Sequence, residues 1–323
     1  MKVILHVGAT KTGSSALQNF LYTNMRTLRS MDICYPDLGI ASDAHHLIAA
    51  SLHPSAHGIH SKALPSTPQE RKEQFHAYVS AARREAEAMG AQALVLSSEY
   101  LWWTFTDDFY ATWAQALDGA QVTVYAVLRD PLNWVPSSYI QAVKGGEARS
   151  LEEWFDWRIE TRRHLLDFAE ILSGWRKLGP QTEFALRSYE ELTAQDEIFA
   201  NLLQLCGVKR FKKADYTLNS GQVNPSPSPK AIELLRSINK SDMDAPSKGS
   251  VRKLILTHLS KKKPGVSWDI VDETMAQKIG AFYDPIVERL LSEFSTCDVD
   301  FVRGYHSQAS REAEKSSWMR KFW

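Results

Sequence analysis

The stretch GATKTGSS, from Gly8 to Ser15, holds the residue types of a phosphate-binding turn. Its two glycines have the G-x-x-x-x-G spacing of a nucleotide-triphosphate loop. Ser14, however, stands where that loop has its lysine, and the lysine comes earlier, at Lys11. Glycines in such a turn let backbone N–H groups converge on an anion, and a following helix adds the positive end of its dipole. The hydroxyls of Thr12, Ser14 and Ser15 are further donors. A lysine inside the loop can reach the oxygen on which negative charge grows as a donor bond breaks. The chemistry is anion binding with group transfer, unless the segment is only a strand entering a Ser/Thr-capped helix. Spacing alone leaves that plainer alternative open.

Other segments carry related chemistry. Arg129, in VLRDP, and Ser137, eight residues on, pair a forked cationic donor with a hydroxyl early in the next helix. Glu99, in SSEY, is a carboxylate that partial desolvation would raise toward the pKa of a general base. His46 is the second candidate for that base. It belongs to HHLIAASLHPSAHGIH, residues 45–60, which contains five histidines. His53 and His57 could share a helix face as zinc ligands, but Pro54 interrupts the stretch and no cysteine or carboxylate cluster accompanies it. The expectation is therefore no metal, with these histidines lining a cleft. Structural roles compete with each functional one: a salt bridge for Arg129, a helix-face hydroxyl for Ser137, a helix cap or an arginine partner for Glu99. Trp102, Trp103, Phe105 and Trp113 either stack on an acceptor ring or belong to the core.

The elements that must position these residues alternate. Strands are expected at 2–7, 93–100, 121–131 and 182–192. Helices are expected at 14–25, 68–88, 133–143 and 196–206, with a long helical stretch from Gly146 to Leu178 and a last one over 267–294, where Pro285 is expected to kink or split it. Alternation of this kind gives a P-loop-like three-layer α/β fold, with a central, mostly parallel sheet flanked by helices. Ligands of such sheets gather at the carboxyl ends of the strands. The GATKTGSS loop, Ser97-Ser98-Glu99 and Arg129-Asp130-Pro131 all fall there.

Lys11 to Ser15, K-T-G-S-S directly after the first strand, resembles the 5′-phosphosulfate loop of sulfotransferases, which usually reads K-[ST]-G-[ST]-[ST]. These enzymes use 3′-phosphoadenosine-5′-phosphosulfate (PAPS). Arg129 and Ser137 match the family's second motif, and FALRSYEEL followed by LCGV is similar to its fourth-strand segment. The likeness extends over most of residues 3–208 and is greatest to bacterial members that modify saccharides or lipid-linked acceptors. It implies that Lys11 contacts the 5′-phosphosulfate while Thr12, Gly13, Ser14 and Ser15 cradle the phosphate. Arg129 and Ser137 would bind the 3′-phosphate, and Glu99, or His46, would be the base. Tyr189 and Glu190 would be mainly structural. The implied reaction moves a sulfuryl group from PAPS to a hydroxyl, or secondarily an amine, of a saccharide, glycolipid or other small acceptor, leaving PAP, with no metal required. Two departures stand out. Ala16 occupies a place where the family often has an aromatic residue for adenine, and no C-terminal R-K-G element for the 3′-phosphate is present.

Composition fits this frame. In 323 residues, 44% hydrophobic and 24% charged content are those of a globular protein, and 323 residues suffice for one domain, 1–323, with a core at 1–208 and a helical, basic part at 209–323 that could act as a lid. Net charge is zero, yet residues 209–263 carry 13 Lys/Arg against 4 Asp/Glu, so the remainder carries −9. Such a block suits an anionic ligand or is only a solvated face. Three scattered cysteines and the absence of a long apolar run point to a cytoplasmic protein. The tail SREAEKSSWMRKFW allows peripheral membrane contact. No aromatic interleaving marks the basic block for nucleic acid. Two rivals remain: a P-loop kinase using ATP and magnesium, with Asp130 on the metal, and a non-catalytic anion-binding protein of the same fold.

Overall fold

The computed structural model describes residues 1–53, 63–218, 226–261 and 270–294. Five parallel strands form its main sheet: β1 (Lys2–Val7), β2 (Ile33–Cys34), β3 (Ala93–Ser98), β4 (Gln121–Leu128) and β5 (Glu183–Ser188). They lie in the order β2-β3-β1-β4-β5. The central strands are short aliphatic runs buried along nearly their whole length, as parallel strands covered on both faces must be. Their period of two sorts the side chains. Val3, Leu5 and Val7 of β1 face a cluster with Phe75, Val79, Trp113 and Trp175. Ile4 faces the opposite layer, with Leu17, Phe20, Leu21, Leu202 and Leu203. The expected three-layer α/β architecture is therefore the observed one.

Most elements fall where sequence periodicity puts them, and the differences have local causes. The helix Pro68–Ala88 starts at a capping box between Thr67 and Glu70 and has Pro68 in its first turn. β2 has no counterpart among the expected strands because two residues at a sheet edge are too few for alternation to register. β5 stops at Ser188, not Leu192, because the Ser188 hydroxyl accepts a hydrogen bond from Glu191 N and opens the helix Tyr189–Ala194. The stretch after Gly146 is likewise broken, into helices Leu151–Arg162 and Phe168–Trp175, the second capped by Asp167. The last helix, Glu273–Glu293, runs through Pro285 without being split by it.

The basic C-terminal part contributes helices Pro229–Lys240 and Ala245–Leu259 and a small antiparallel ribbon of β6 (Ser226–Pro227) and β7 (Ser260–Lys261). Ile232, Leu235, Met275, Ile279, Tyr283 and Leu290 share one buried cluster with Leu128, Leu132 and Val135. Cys34 and Cys206 are buried, and burial pushes both thiols up to about 12. Among the described residues no helix is long and apolar enough to cross a membrane.

The strand order places the chemistry. From β1 the chain goes out to the edge, returns through β3, then crosses to β4 on the other side of β1. The loops after β1, β3 and β4 therefore meet at one crevice beyond the strand ends. Register agrees: Val7 lies beside Ser98, and His6 beside Tyr125.

Candidate active site

The Gly8–Ser15 loop is held in a strained but braced turn. Lys11 has φ 65° and Gly13 φ 81°, both left-handed. For Lys11 that conformation costs about 1–2 kcal/mol, so something must fix it. Arg129 Nη1 donates to the Lys11 carbonyl at 3.1 Å, and Trp134 Nε1 donates to the Thr10 carbonyl at 2.9 Å. From inside, the Thr12 and Ser14 hydroxyls each donate to the Ala9 carbonyl at 2.7 Å. Those two hydroxyls brace the loop, so toward an anion Thr12 and Ser14 offer backbone N–H. Gly8 is closely packed: a Cβ there would meet Ser14 Oγ at 3.1 Å and Glu99 Cγ at 3.3 Å.

Gly13 precedes the helix Ser14–Thr23, whose first turn has no side-chain cap. The helices at Pro131, Ser228 and Asp272, by contrast, are each closed by a side-chain oxygen. The first-turn N–H groups of Ser14–Thr23 are thus left for an external acceptor. Burial lowers the Lys11 ammonium below its ordinary pKa, with Lys144 and Arg129 acting in the same direction and Glu99 against. The cation is held in a poorly hydrated place, where its field is strong.

Arg129 and Ser137 meet as their spacing predicts: Nη1 lies 3.2 Å from Ser137 Oγ. The guanidinium stacks over Tyr189 at 4.9 Å, and its Nε faces Glu190 Oε1 at 3.7 Å, too far for a hydrogen bond. That Nε is buried with no hydrogen-bond partner among the described residues. Glu190 is itself fixed by Asn133 Nδ2 at 3.1 Å and by the backbone N–H of Asp130 at 3.3 Å. Tyr189 and Glu190 thus position Arg129, and Arg129 ties two loops together. Asp130 caps the next helix, accepting from Leu132 N at 2.8 Å. A carboxylate engaged in that cap is poorly placed to be the magnesium ligand of a kinase.

Glu99 follows β3 at the start of a short 3-10 turn, and Ser15 Oγ donates to its Oε1 at 3.4 Å. Burial raises its carboxyl above the usual range, while the Ser15 hydroxyl and Lys11 pull it back. Glu99 pairs with the loop, not with Arg129. His46 is near: its Nδ1 lies 2.8 Å from Ser98 Oγ, and its ring is 4.4 Å from that of Tyr100. The other histidines depart from the expected cleft lining. His45 is buried, accepts from Ser97 N through Nδ1 at 3.1 Å and donates from Nε2 to the Pro36 carbonyl at 3.0 Å. His53 is buried against Trp103 and Phe105. Burial pushes both down to about 4, as it does His6. They are core residues: the His45 imidazole is satisfied by backbone, as a packed interior requires, and His53 packs among aromatic rings. His57 and His60 lie outside the described residues, as does the tail. Among the described residues no group of His, Cys, Asp and Glu is arranged to hold a metal.

Beside the loop opens an apolar pocket whose lining includes Ala9, Arg129, Trp102, Trp134, Leu165 and Tyr283. Of the aromatic patch, Trp113 and Phe105 are core, and Trp102 reaches the pocket. Sequence reasoning missed Trp134 and Lys144. Both lie on the helix Pro131–Gly145 that carries Ser137, and Lys144, seven residues on, shares its face. That spacing was the available signal. Arg252 and Lys253, from the basic block, share an open groove with Lys144.

No family model matches the sequence, and no curated protein matches it. Among solved structures, a sulfotransferase from Alicyclobacillus acidocaldarius aligns at 15% identity over 93% of this chain and 98% of its own, with a TM-score of 0.49. A retinol dehydratase in complex with androsterone and inactive cofactor PAP aligns at 12% identity over 92% and 82%, with a TM-score of 0.36. The sulfotransferase domain of the Synechococcus PCC 7002 olefin synthase aligns at 15% over 82% and 96%, with a TM-score of 0.34. Likenesses this distant carry no argument about what this chain does.

Proposed function

We propose that the protein is a PAPS-dependent sulfotransferase. One observation carries this: Arg129 joins Ser137, eight residues on, to the backbone of the glycine loop. A guanidinium and a hydroxyl set beside a phosphate loop suit a nucleotide with a second, separate phosphate. The residues fit such a group. The first-turn N–H groups of the uncapped helix at Ser14 and the Arg129 guanidinium beside the Ser137 hydroxyl are sites for anionic oxygens.

Bound PAPS supplies an activated sulfuryl group, which passes to the acceptor oxygen and leaves PAP. Lys11 and the N–H groups of Thr12, Gly13, Ser14 and Ser15 hold the 5′-phosphosulfate and stabilise the charge that grows on the leaving phosphate. Arg129 and Ser137 hold the 3′-phosphate. Glu99 takes the proton from the acceptor hydroxyl, and its raised pKa gives it a basicity suited to that step. His46 is the second candidate for that base. The acceptor is a small molecule, with saccharides, glycolipids and lipid-linked alcohols as the first classes to screen. In this account residues 1–323 act as one domain in the cytoplasm, without a metal, and the part from 209 covers the nucleotide.

Thermal shift tests the nucleotide. A ligand at a hundred times its dissociation constant stabilises by about 2.7 kcal/mol. PAP is expected to raise the melting temperature without metal, and ADP much less. A shift with ADP and magnesium alone would replace this account with that of a kinase.

A further inference from the structure

The helix Ala245–Leu259 turns a polar stripe toward its neighbour. Gly249, Arg252, Lys253, Leu256 and Thr257 follow the i, i+3, i+4, i+7 spacing of one helix face. On a helix packed against a domain that stripe is normally apolar. Here it lines an open groove of about 500 Å³, and Lys144, from the helix Pro131–Gly145, completes the lining. The described residues of the groove supply three cations and no carboxylate. Arg252 and Lys253 are in no ion pair among the described residues, and Glu147, close to Lys144 in sequence, is paired with Arg149.

The cations are held in place. Asn239 Nδ2 donates to the carbonyls of Val143 and Glu147 at 2.9 and 2.7 Å, which fixes it against the end of the helix that carries Lys144. Its Oδ1 accepts from Arg252 Nη1 at 3.3 Å, and its carbonyl accepts from Lys248 Nζ at 3.1 Å. One asparagine thus ties Arg252 to the Lys144 side of the groove. Gly249 is a second sign. A glycine inside a helix weakens it relative to alanine. Packing gives no reason for it, since an added Cβ would meet no other described atom within 4 Å. The missing side chain leaves the groove open one turn before Arg252 and Lys253.

Lys144 connects the groove to the phosphate loop. Burial lowers the Lys11 ammonium most, and the Lys144 charge is the next cause. The 3′-phosphate of the proposed nucleotide has its own partners in Arg129 and Ser137. Lys144 lies seven residues beyond Ser137, about 10 Å further along the same helix.

We infer that Lys144, Arg252 and Lys253 form an anion subsite that runs on from the phosphate loop, and that the acceptor it takes is an acidic oligosaccharide bearing carboxylate, sulfate or phosphate groups. An open groove with cations spaced along it suits an extended polyanion, whereas a compact neutral acceptor would reach none of them. The word acceptor rests on the sulfotransferase account above, whereas the anion subsite stands without it.

The test titrates tetragalacturonate and neutral maltotetraose calorimetrically, at constant ionic strength, into the PAP-loaded and the PAP-free protein. The wild type is expected to bind the acidic tetramer at least about tenfold more tightly than the neutral one, with or without PAP. Arg252→Gln with Lys253→Gln should lose most of that ratio. Lys253→Gln alone, which alters one exposed side chain, should lose about two- to fivefold of it. An equal change of charge elsewhere in the basic block, Lys209→Gln with Lys212→Gln, should leave the ratio unchanged, because those residues flank Phe211, which packs against a different cluster. No preference in the wild type, a preference that survives in the groove variant, or an equal loss in the Lys209 and Lys212 variant would each overturn the inference. The PAP-induced thermal shift should be the same in the wild type and the groove variant. A groove variant that loses PAP binding and keeps the acidic preference would assign these cations to the nucleotide, and so overturn it too. PAP binding to neither protein, with an acidic preference that the groove variant loses, would remove the sulfotransferase account and leave the anion subsite standing.

Discussion

The glycine loop and the stretch from Arg158 to His164 treat their polar groups in opposite ways. In the loop the protein supplies most partners itself: Thr12 and Ser14 donate to Ala9, Trp134 to Thr10, and Arg129 to Lys11 and Ser137. In the second stretch, Arg158 Nε and His164 Nε2 have none among the described residues. The first region is built in advance to hold one fixed geometry, which suits a common donor. The second leaves single nitrogens of partly exposed side chains unmatched. Preorganisation at the donor lowers reorganisation at the moment of transfer.

Substitutions in and beside the loop should act on rate, and the largest effect expected is at Glu99. Glu99→Gln should lower the turnover of sulfuryl transfer about 10²–10⁴-fold with little change in PAP affinity, as loss of a general base does. Its stability effect has the opposite sign. A carboxyl whose folded pKa is raised stabilises the fold below its unfolded pKa and loses that contribution as pH rises through the folded value. Glu99→Gln should therefore melt no lower than the wild type at neutral pH, which a pH series of melting curves checks. Next, Lys11→Ala should cost about 10²–10³-fold in turnover, the loss typical of one donor to a developing anion. Unchanged turnover in a single-turnover assay would break the contrast at its centre.

How much of this was legible in the sequence depends on whether a feature is local. The loop, the Arg129–Ser137 pair and Glu99 announce themselves through spacing along single elements, and the strand pattern brings them to one edge. Arg158 and His164 gave no signal, because the enclosure of their Nε and Nε2 depends on how the chain turns at Arg163–Leu165 after the helix Leu151–Arg162. The histidine run misled for the same reason. His45 and His53 look like site residues in a list of types, yet packing consigns them to the core, and of the three described histidines in the run His46 lies at the site edge. Two-residue β2 and the helix start at Ser188 were lost to brevity and to a cap.

Smaller effects sharpen the picture of a prebuilt loop. Gly13→Ala puts a side chain at φ 81° and should destabilise by about 1–2 kcal/mol, read from denaturant melts. Acid should weaken the whole fold gradually. His6, His45 and His53 are held down to about 4, so the unfolded chain binds more protons between that value and 6.5, and stability falls as pH drops through this range. His6→Asn should flatten that slope, measured as melting temperature against pH, and an unchanged slope would deny His6 its part in it.

The most direct test of the donor assignment is a calorimetric titration of PAP and 5′-AMP into the wild type and Arg129→Ala. The account predicts that the wild type binds PAP about 10- to 100-fold more tightly than 5′-AMP, from charge-assisted bonds to the 3′-phosphate, and that Arg129→Ala erases most of that ratio. Equal binding of the two nucleotides by the wild type, or a ratio untouched by Arg129→Ala, would contradict it.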